Sequence, residues 1–474
     1  MPKCFSWRLK IALFQLWRDW SKKSRYREVA KVCLPLVTGM AATTVMEFTD
    51  RIFLSHYSIA ALSAVVPAGV TVFLVLCFLG GIASYVAVFI AQYHGAAKPE
   101  KIGTALWQGI FFTLLSGVVL IFIATFVTTP LFNLVGHSPE IRLLEGQYFT
   151  ILCQWGVLHV AIQTLSGFFT GRGMTRPVMI ATILGMLVNI PLNYALIYGV
   201  WGMPELGIRG AAMATVVSWG VVVLCLLPAI FSKPFRREYK LLETVALDRE
   251  ILQRLLKYGV PGALQFSLDV FAFTFFILMV GRMGAVPLAT TNIVISISSL
   301  AFMPALSFAF GISSMTGQAL GKGRPEEARA AAWSGIHLLL IYTVLLDALF
   351  VFAPETIISF FMNEGEMGGN YEEIQQMGEI ILRLVAIYIL LDVFYMIFAS
   401  VLKGAGDTRF LLFVISGVTF ICMIIPLFVG ITYFGMGIYS AWSCVVLFIA
   451  TLSILISWRY KGGKWERMLV IEKG

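Results

Sequence analysis

"AQYHGAAKPEKIGTALWQGI" (91–110) returns later in the chain as "GQALGKGRPEEARAAAWSGI" (317–336). At a constant offset of 226, Gln92 meets Gln318, Gly95 meets Gly321, Pro99 meets Pro325, Glu100 meets Glu326, Trp107 meets Trp333 and Gly109 meets Gly335. A second pair, "GRGMTR" (171–176) and "GAGDTR" (404–409), repeats the pattern GxGxTR at an offset of 233. Fainter echoes join Pro35 to Pro261 and "GIRGAA" (207–212) to "GIYSAW" (437–442). Chance supplies one such match, hardly four in the same order. The chain is two copies of one unit in the same orientation.

The unit belongs in a membrane. Of 474 residues, 59% are hydrophobic and 13% charged, against about 25% charged in soluble domains. Twelve apolar runs are long enough to span: 33–54, 62–93, 104–130, 147–169, 177–199, 209–231, 257–281, 287–318, 328–352, 377–400, 410–433 and 436–458. Segments this apolar satisfy their backbone groups as helices. The fold class is an all-α polytopic membrane protein with two six-helix lobes related by the repeat. The divisions are a basic amphipathic segment 1–30, an amino-terminal lobe 31–231, a cytoplasmic linker 232–256, a carboxyl-terminal lobe 257–460 and a cytoplasmic tail 461–474. Spans two and eight are long and interrupted by glycine, which predicts tilt or bending.

Charge orients the chain. The amino-terminal tail, the tail at the other end and the loops after spans two, four, six, eight and ten hold 30 of the 35 Lys and Arg residues. The positive-inside rule puts all of these, and both termini, in the cytoplasm of a cell whose inner membrane the protein crosses. The net charge of +9 follows from that bias and from anionic lipid, so no nucleic-acid partner is expected. In "FSWRLKIALFQLWRDW" (5–20), Phe5, Leu9, Leu13, Trp17 and Trp20 share one face, opposite Arg8, Gln15 and Arg18. That reads as an interfacial helix rather than a cleavable signal. The seven cysteines show no CxxC spacing and read as small core residues.

Acids inside spans carry the chemistry, because a carboxylate at a helix centre costs about 2.5–3.5 kcal/mol on insertion scales. Asp269 lies midway along span seven and Asp392 midway along span ten, with Tyr388 one turn before it and Gln265 and Tyr395 nearby. A facing pair of carboxylates holds a proton or a hard cation, sodium included, and their repulsion makes that binding matter. Arg383 is off the face of Asp392, and no span offers either acid a basic partner at similar depth. In the other lobe, Asp50 on span one is joined by Asn189 and Asn193, four apart on span five. These three form a cation or proton site, or else Asp50 reaches water or Arg51 and the asparagines glue helices. Glu47, one turn before Asp50, is a further ligand or an acid lining a hydrated cavity. His159 is a titrating group or a packing residue. Asn292, Gln154, Gln163 and Tyr85 are weaker cavity candidates. Asp347 lies near the outer end of span nine, within reach of solvent, and the acidic stretch 355–379 reads as a solvated outer loop.

These motifs, in this order, resemble the MATE family, multidrug and toxic compound extrusion, over about residues 31–455. "MEFTDRIFLS" (46–55) is similar to the first span of its NorM-like bacterial branch, "VNIPLNYALIYG" (188–199) to the fifth, "QFSLDV" (265–270) to the seventh and "YILLDVFYMIFASVLKGAGDTR" (388–409) to the tenth. Asp269 stands where that branch commonly has Glu, and Glu47 is an additional acid. The resemblance implies a secondary antiporter, not an enzyme. It would export organic cations or amphiphilic drugs against inward sodium or protons, as a monomer without cofactor, by alternating access of the two lobes. A lipid-linked precursor flippase of a related superfamily is the alternative; it predicts extra spans and a strongly cationic cavity. A receptor or scaffold would have no use for repeated lobes. No GxxxxGK[ST] motif offers ATP drive.

Overall fold

A computed structural model describes residues 24–135, 137–360 and 370–472. The expected interfacial helix at 5–20 lies outside these residues. The twelve spans are α1 (Tyr26–Tyr57), α2 (Ile59–Gly95), α3 (Pro99–Leu134), α4 (Pro139–Gln154 with Gly156–Thr170), α5 (Arg176–Tyr198), α6 (Ile208–Ile230), α7 (Arg249–Gly281), α8 (Ala285–Gly321), α9 (Pro325–Phe352), α10 (Tyr371–Ala405), α11 (Thr408–Phe434) and α12 (Ile438–Lys461). The two halves of α4 meet at 43°, where one span over 147–169 was expected. The bend falls at Trp155 and Gly156; a Cβ on Gly156 would stand 2.7 Å from Leu76 and 3.1 Å from Leu120. Close packing on α2 and α3 therefore fixes the corner. Two other expected limits also move. α7 starts at Arg249, inside the stretch read as linker, because Asp248 caps it by accepting from the N–H groups of Glu250 and Ile251. Of the expected outer loop 355–379, Pro354–Phe360 is a short helix and α10 already begins at Tyr371.

The repeated "PE" pairs mark helix starts. Pro99 and Pro325 open α3 and α9, where a missing N–H costs nothing. Glu100 and Glu326 follow at the positive end of each helix dipole. The turn before each takes the same left-handed conformation, at Gly323 (φ 69°) in one copy and at Ala97 (φ 54°) in the other. Glycine adopts it freely; alanine bears a strain.

Three buried clusters form, one in the carboxyl half and two in the amino half, and the helices that lead into them are exchanged. Residues of α7–α12 build one core, joined by Val29, Val32 and Cys33 from the first turns of α1. The amino half builds the other two around α2, α4 and α6. Ile251 and Leu255, from the first turns of α7, are buried in one of these, as are Val470 and Ile471 of the tail. Each half thus reaches into its neighbour at the face that carries the basic loops, called the basic face below.

Candidate functional site

The recurring glutamines sit where the halves meet. Gln92 on α2 donates through Nε2 to the carbonyl of Gly404 at 3.0 Å, and Gln318 on α8 donates to the carbonyl of Gly171 at 2.8 Å. Donors and acceptors are equivalent positions of the repeat, so the contact is one interaction used twice. Gly95 and Gly321 let α2 and α8 cross at that level. A Cβ on Gly95 would fall 2.1 Å from the Gln318 carbonyl oxygen, and one on Gly321 would fall 2.1 Å from that of Gln92. The first glycine of each GxGxTR turn is therefore an acceptor in the seam. The later ones, Gly173 (φ 73°) and Gly406 (φ 96°), form the turn itself.

Further bonds close the same face. Ser314 donates to the carbonyl of Thr170 at 2.5 Å, Tyr85 to that of Lys403 at 2.8 Å, and the Val470 N–H to Gln92 Oε1 at 2.8 Å. Arg25 pairs with Glu327 at 2.9 Å, and Tyr85 stacks on Tyr258 with centroids 6.4 Å apart. Among the described residues, every hydrogen bond between the halves lies in the half of the molecule toward the basic face. The halves are sealed there and unjoined by such bonds toward the opposite face.

Asp269 stands just beyond the seal. It is half-buried on α7, seven residues past Gly262, whose Cβ position faces Tyr85 and Lys403. Gln265 donates to its Oδ2 at 2.6 Å, and the Tyr395 hydroxyl of α10 lies 3.4 Å from the same oxygen. Asp392, one turn before Tyr395 on α10, is half-buried and near enough to feel the charge of Asp269. Tyr395, one turn from Asp392, thus ties α10 to the Asp269 carboxyl. Tyr388 is buried one turn further along. Among the described residues neither acid makes an ion pair with Lys or Arg. Lys403 shares the Asp392 face of α10, about three turns nearer the basic face, and its stem lies alongside Gly262. It reads in sequence as a loop cation because it sits at a helix end, but the long stem carries its ammonium inward.

The amino-half cluster forms as well. Asp50 is 8% exposed. Asn193 Nδ2 donates to its Oδ1, and the Thr215 hydroxyl of α6 lies 3.4 Å from its Oδ2. Asn189 is fully buried with neither amide atom bonded, and Asn193 Oδ1 is also without a partner. Pro191 lies between the two asparagines and removes one donor from the α5 ladder. Asp50, Asn193 and Thr215 thus bring α1, α5 and α6 together, with the Asn193 Oδ1 and the Asn189 amide left unbonded beside them on α5. Such hard donors suit a small cation. Thr215 was not foreseen; it stands in the plain apolar run "AAMATVVSWG" (211–220).

Other candidates fall elsewhere. Glu47 is exposed one turn from Asp50, which places it on an open face rather than in that cluster, though its charge and that of Arg51 reach Asp50. His159 packs edge-on to Trp219 of α6, centroids 5.2 Å apart. Asn292 is exposed on α8. Asp347 is not solvated as expected but buried, 7% exposed, on the packed stripe of α9. A separate groove of about 680 Å³ lies at the basic face, lined by Arg27, Glu28, Lys31, Leu34 and Arg176 and by none of Asp50, Asp269 and Asp392.

Known proteins share this design. The MatE family model matches residues 35–195 and 261–432, one stretch in each half. A probable multidrug resistance protein NorM of Thermotoga maritima is 28% identical over 456 residues, 94% of each chain. Among solved structures, a MOP superfamily transporter from Pyrococcus furiosus superposes with a TM-score of 0.84 at 21% identity, covering 93% of this chain and 96% of its own. An outward-facing multidrug resistance MATE transporter gives 0.82 at 21% identity, covering 93% and 97%. A eukaryotic MATE transporter gives 0.81 at 18%, covering 94% and 97%. Those likenesses fix the fold, and the family match in both halves fixes the kinship: the chain belongs to the MATE family, as a multi-pass membrane transporter of the NorM-like kind.

Proposed function

We propose that the protein is a secondary antiporter that exports organic cations or amphiphilic drugs in exchange for inward sodium or protons. The observation that carries this reading is the position of Asp269 and Asp392. Two carboxyls near enough to repel each other stand just beyond a seam whose hydrogen bonds join the halves on one face only. A substrate cation or a coupling ion relieves the repulsion equally well, so each displaces the other. Exchange becomes obligatory when the lobes rock only while that charge is balanced. Gln265 and Tyr395 supply further oxygens, a donor set that suits sodium as well as a proton. The basic face is read as cytoplasmic from its excess of Lys and Arg, which makes the sealed state an outward-facing one. The relative's designation as a probable multidrug resistance protein supports the same substrate class.

The test uses the whole chain in proteoliposomes loaded with a cationic dye. Inward sodium and inward proton gradients are imposed separately. At least one is expected to accelerate export over the rate without a gradient. Equal rates under all three conditions, with dye binding intact, would overturn antiport. A cysteine at Gly323 is expected to be labelled from the cytoplasmic side and one at Glu355 from the outside; the same side for both would overturn the orientation.

A further inference from the structure

α9 turns one continuous stripe into the carboxyl-half core: Ile336, Leu339, Thr343, Asp347 and Phe350. Packing accounts for every member except Asp347. Neither of its carboxyl oxygens has a hydrogen-bond partner among the described residues. An unpaired carboxylate in a dry interior is costly enough that the group takes up a neutralising charge instead.

The helices around it set the geometry. The Tyr342 hydroxyl donates to the Leu300 carbonyl at 2.9 Å and registers α9 against α8. The two run antiparallel, so Asp347 lies further from the basic face than Leu300 and near the level of Ser298. Ser298 and Tyr388 occupy the buried faces of α8 and α10. Tyr388 lies within reach of the charges of both Asp392 and Asp347. From the opposite face inward the order is Asp347, Tyr388, Asp392, Asp269.

We propose that Asp347 is a proton-binding site, the entry acid of a relay that runs through the Tyr388 hydroxyl to Asp392. This rests on the reading that an ion gradient drives the exchange. Hydronium from the opposite face protonates the Asp347 carboxylate and leaves water. The new carboxyl then gives its proton to the Tyr388 oxygen, directly or through a water, while the Tyr388 O–H passes its own to the Asp392 carboxylate. Asp347 ends ionised, Tyr388 unchanged and Asp392 neutral. A metal cation asks for about six oxygen ligands. Here there is one carboxyl, and the Ser298 hydroxyl already donates to the Val294 carbonyl at 2.7 Å.

No fixed positive charge competes for the site among the described residues. On α10, Arg383 is exposed and pairs with Glu379 at 3.7 Å. Glu355, on the short helix after α9, is exposed. α8 contributes Ser298 and the exposed Asn292. From α1, Arg25 and Tyr26 meet α9 at its other end, through Glu327 and His337.

Infrared difference spectroscopy on the reconstituted full chain tests this. A protonated-carboxyl C=O band is expected to titrate with pH, to vanish in Asp347→Asn and to return shifted in Asp347→Glu. Tyr388→Phe is expected to leave that band and to slow protonation of Asp392 after a pH jump by roughly a hundredfold. The proposal is overturned if Asp347→Asn loses no titrating band. Should that variant fail to fold, an Asp347→Glu spectrum with no shifted band overturns it equally. A titrating Asp347 band in a protein whose export ignores both gradients would sink the antiport reading and leave this site standing.

Discussion

The paired glutamines offer a prediction whose size follows from the structure. Gln318→Ala removes one bond across the seam, that to the Gly171 carbonyl; Gln92→Ala removes two, those to the Gly404 carbonyl and from the Val470 N–H. When the seam opens, water satisfies the same groups, so each bond contributes its net value of about 1 kcal/mol to the sealed state. At about 1.4 kcal/mol per tenfold, Gln318→Ala should shift the equilibrium roughly fivefold toward the open seam and Gln92→Ala roughly thirtyfold. The order, Gln92 above Gln318, matters more than either figure. The double variant should not equal the sum, because the two contacts share one seam. Spin labels at the equivalent exposed positions Glu100 and Glu326 report the gap by distance distribution. Growth of a long-distance population in that order is expected. An unchanged distribution in Gln92→Ala, or the larger effect from Gln318→Ala, would refute the reasoning.

Three further outcomes follow from the same geometry. Gly321→Ala should fold but fail to close the seam, because its Cβ meets the Gln92 carbonyl oxygen; a normal short-distance population between the same labels would count against it. Ala97→Gly should raise thermal stability by about 0.5–1 kcal/mol, since it relieves a left-handed alanine that Gly323 shows to be a glycine position; a lowered melting temperature contradicts this. In the amino half, Asp50→Asn and Asn193→Ala should impair transport less together than the sum of their separate effects, because the two side chains are bonded to each other; simple additivity would favour a packing role.

The repeat made most of the fold readable. Equivalent prolines and glutamates start equivalent helices, and each apolar run is a helix because hydrocarbon permits little else. The repeat did not announce that its glutamines bond across the halves. A glutamine in a loop-proximal motif looks solvated until the crossing of α2 and α8 at Gly95 and Gly321 is seen. Span ends were less legible where a polar cap or a corner decides them, as at Asp248 and Trp155. Of the acids, Asp50, Asp269 and Asp392 stood out because charge within a span is rare. Thr215 carried no such signal, since a threonine in a span ordinarily bonds its own helix, and this one also lies 3.1 Å from the Ala211 carbonyl. Asp347 was misjudged because distance from the helix end along the sequence does not tell which way a side chain turns.

The most direct test of the account is gradient-driven export by Asp269→Asn and Asp392→Asn in proteoliposomes, each compared with the unmodified protein. The substitution keeps the shape of the side chain and removes its charge. Without mutual repulsion beyond the seam, neither ion nor substrate has a charge to balance. Each variant is expected to remain folded in the membrane, to lose export under sodium and proton gradients alike, and to lose its response to a pH or sodium jump. Export at unmodified rates by both variants, with the jump response intact, would contradict the claim that this carboxyl pair couples the gradient to transport.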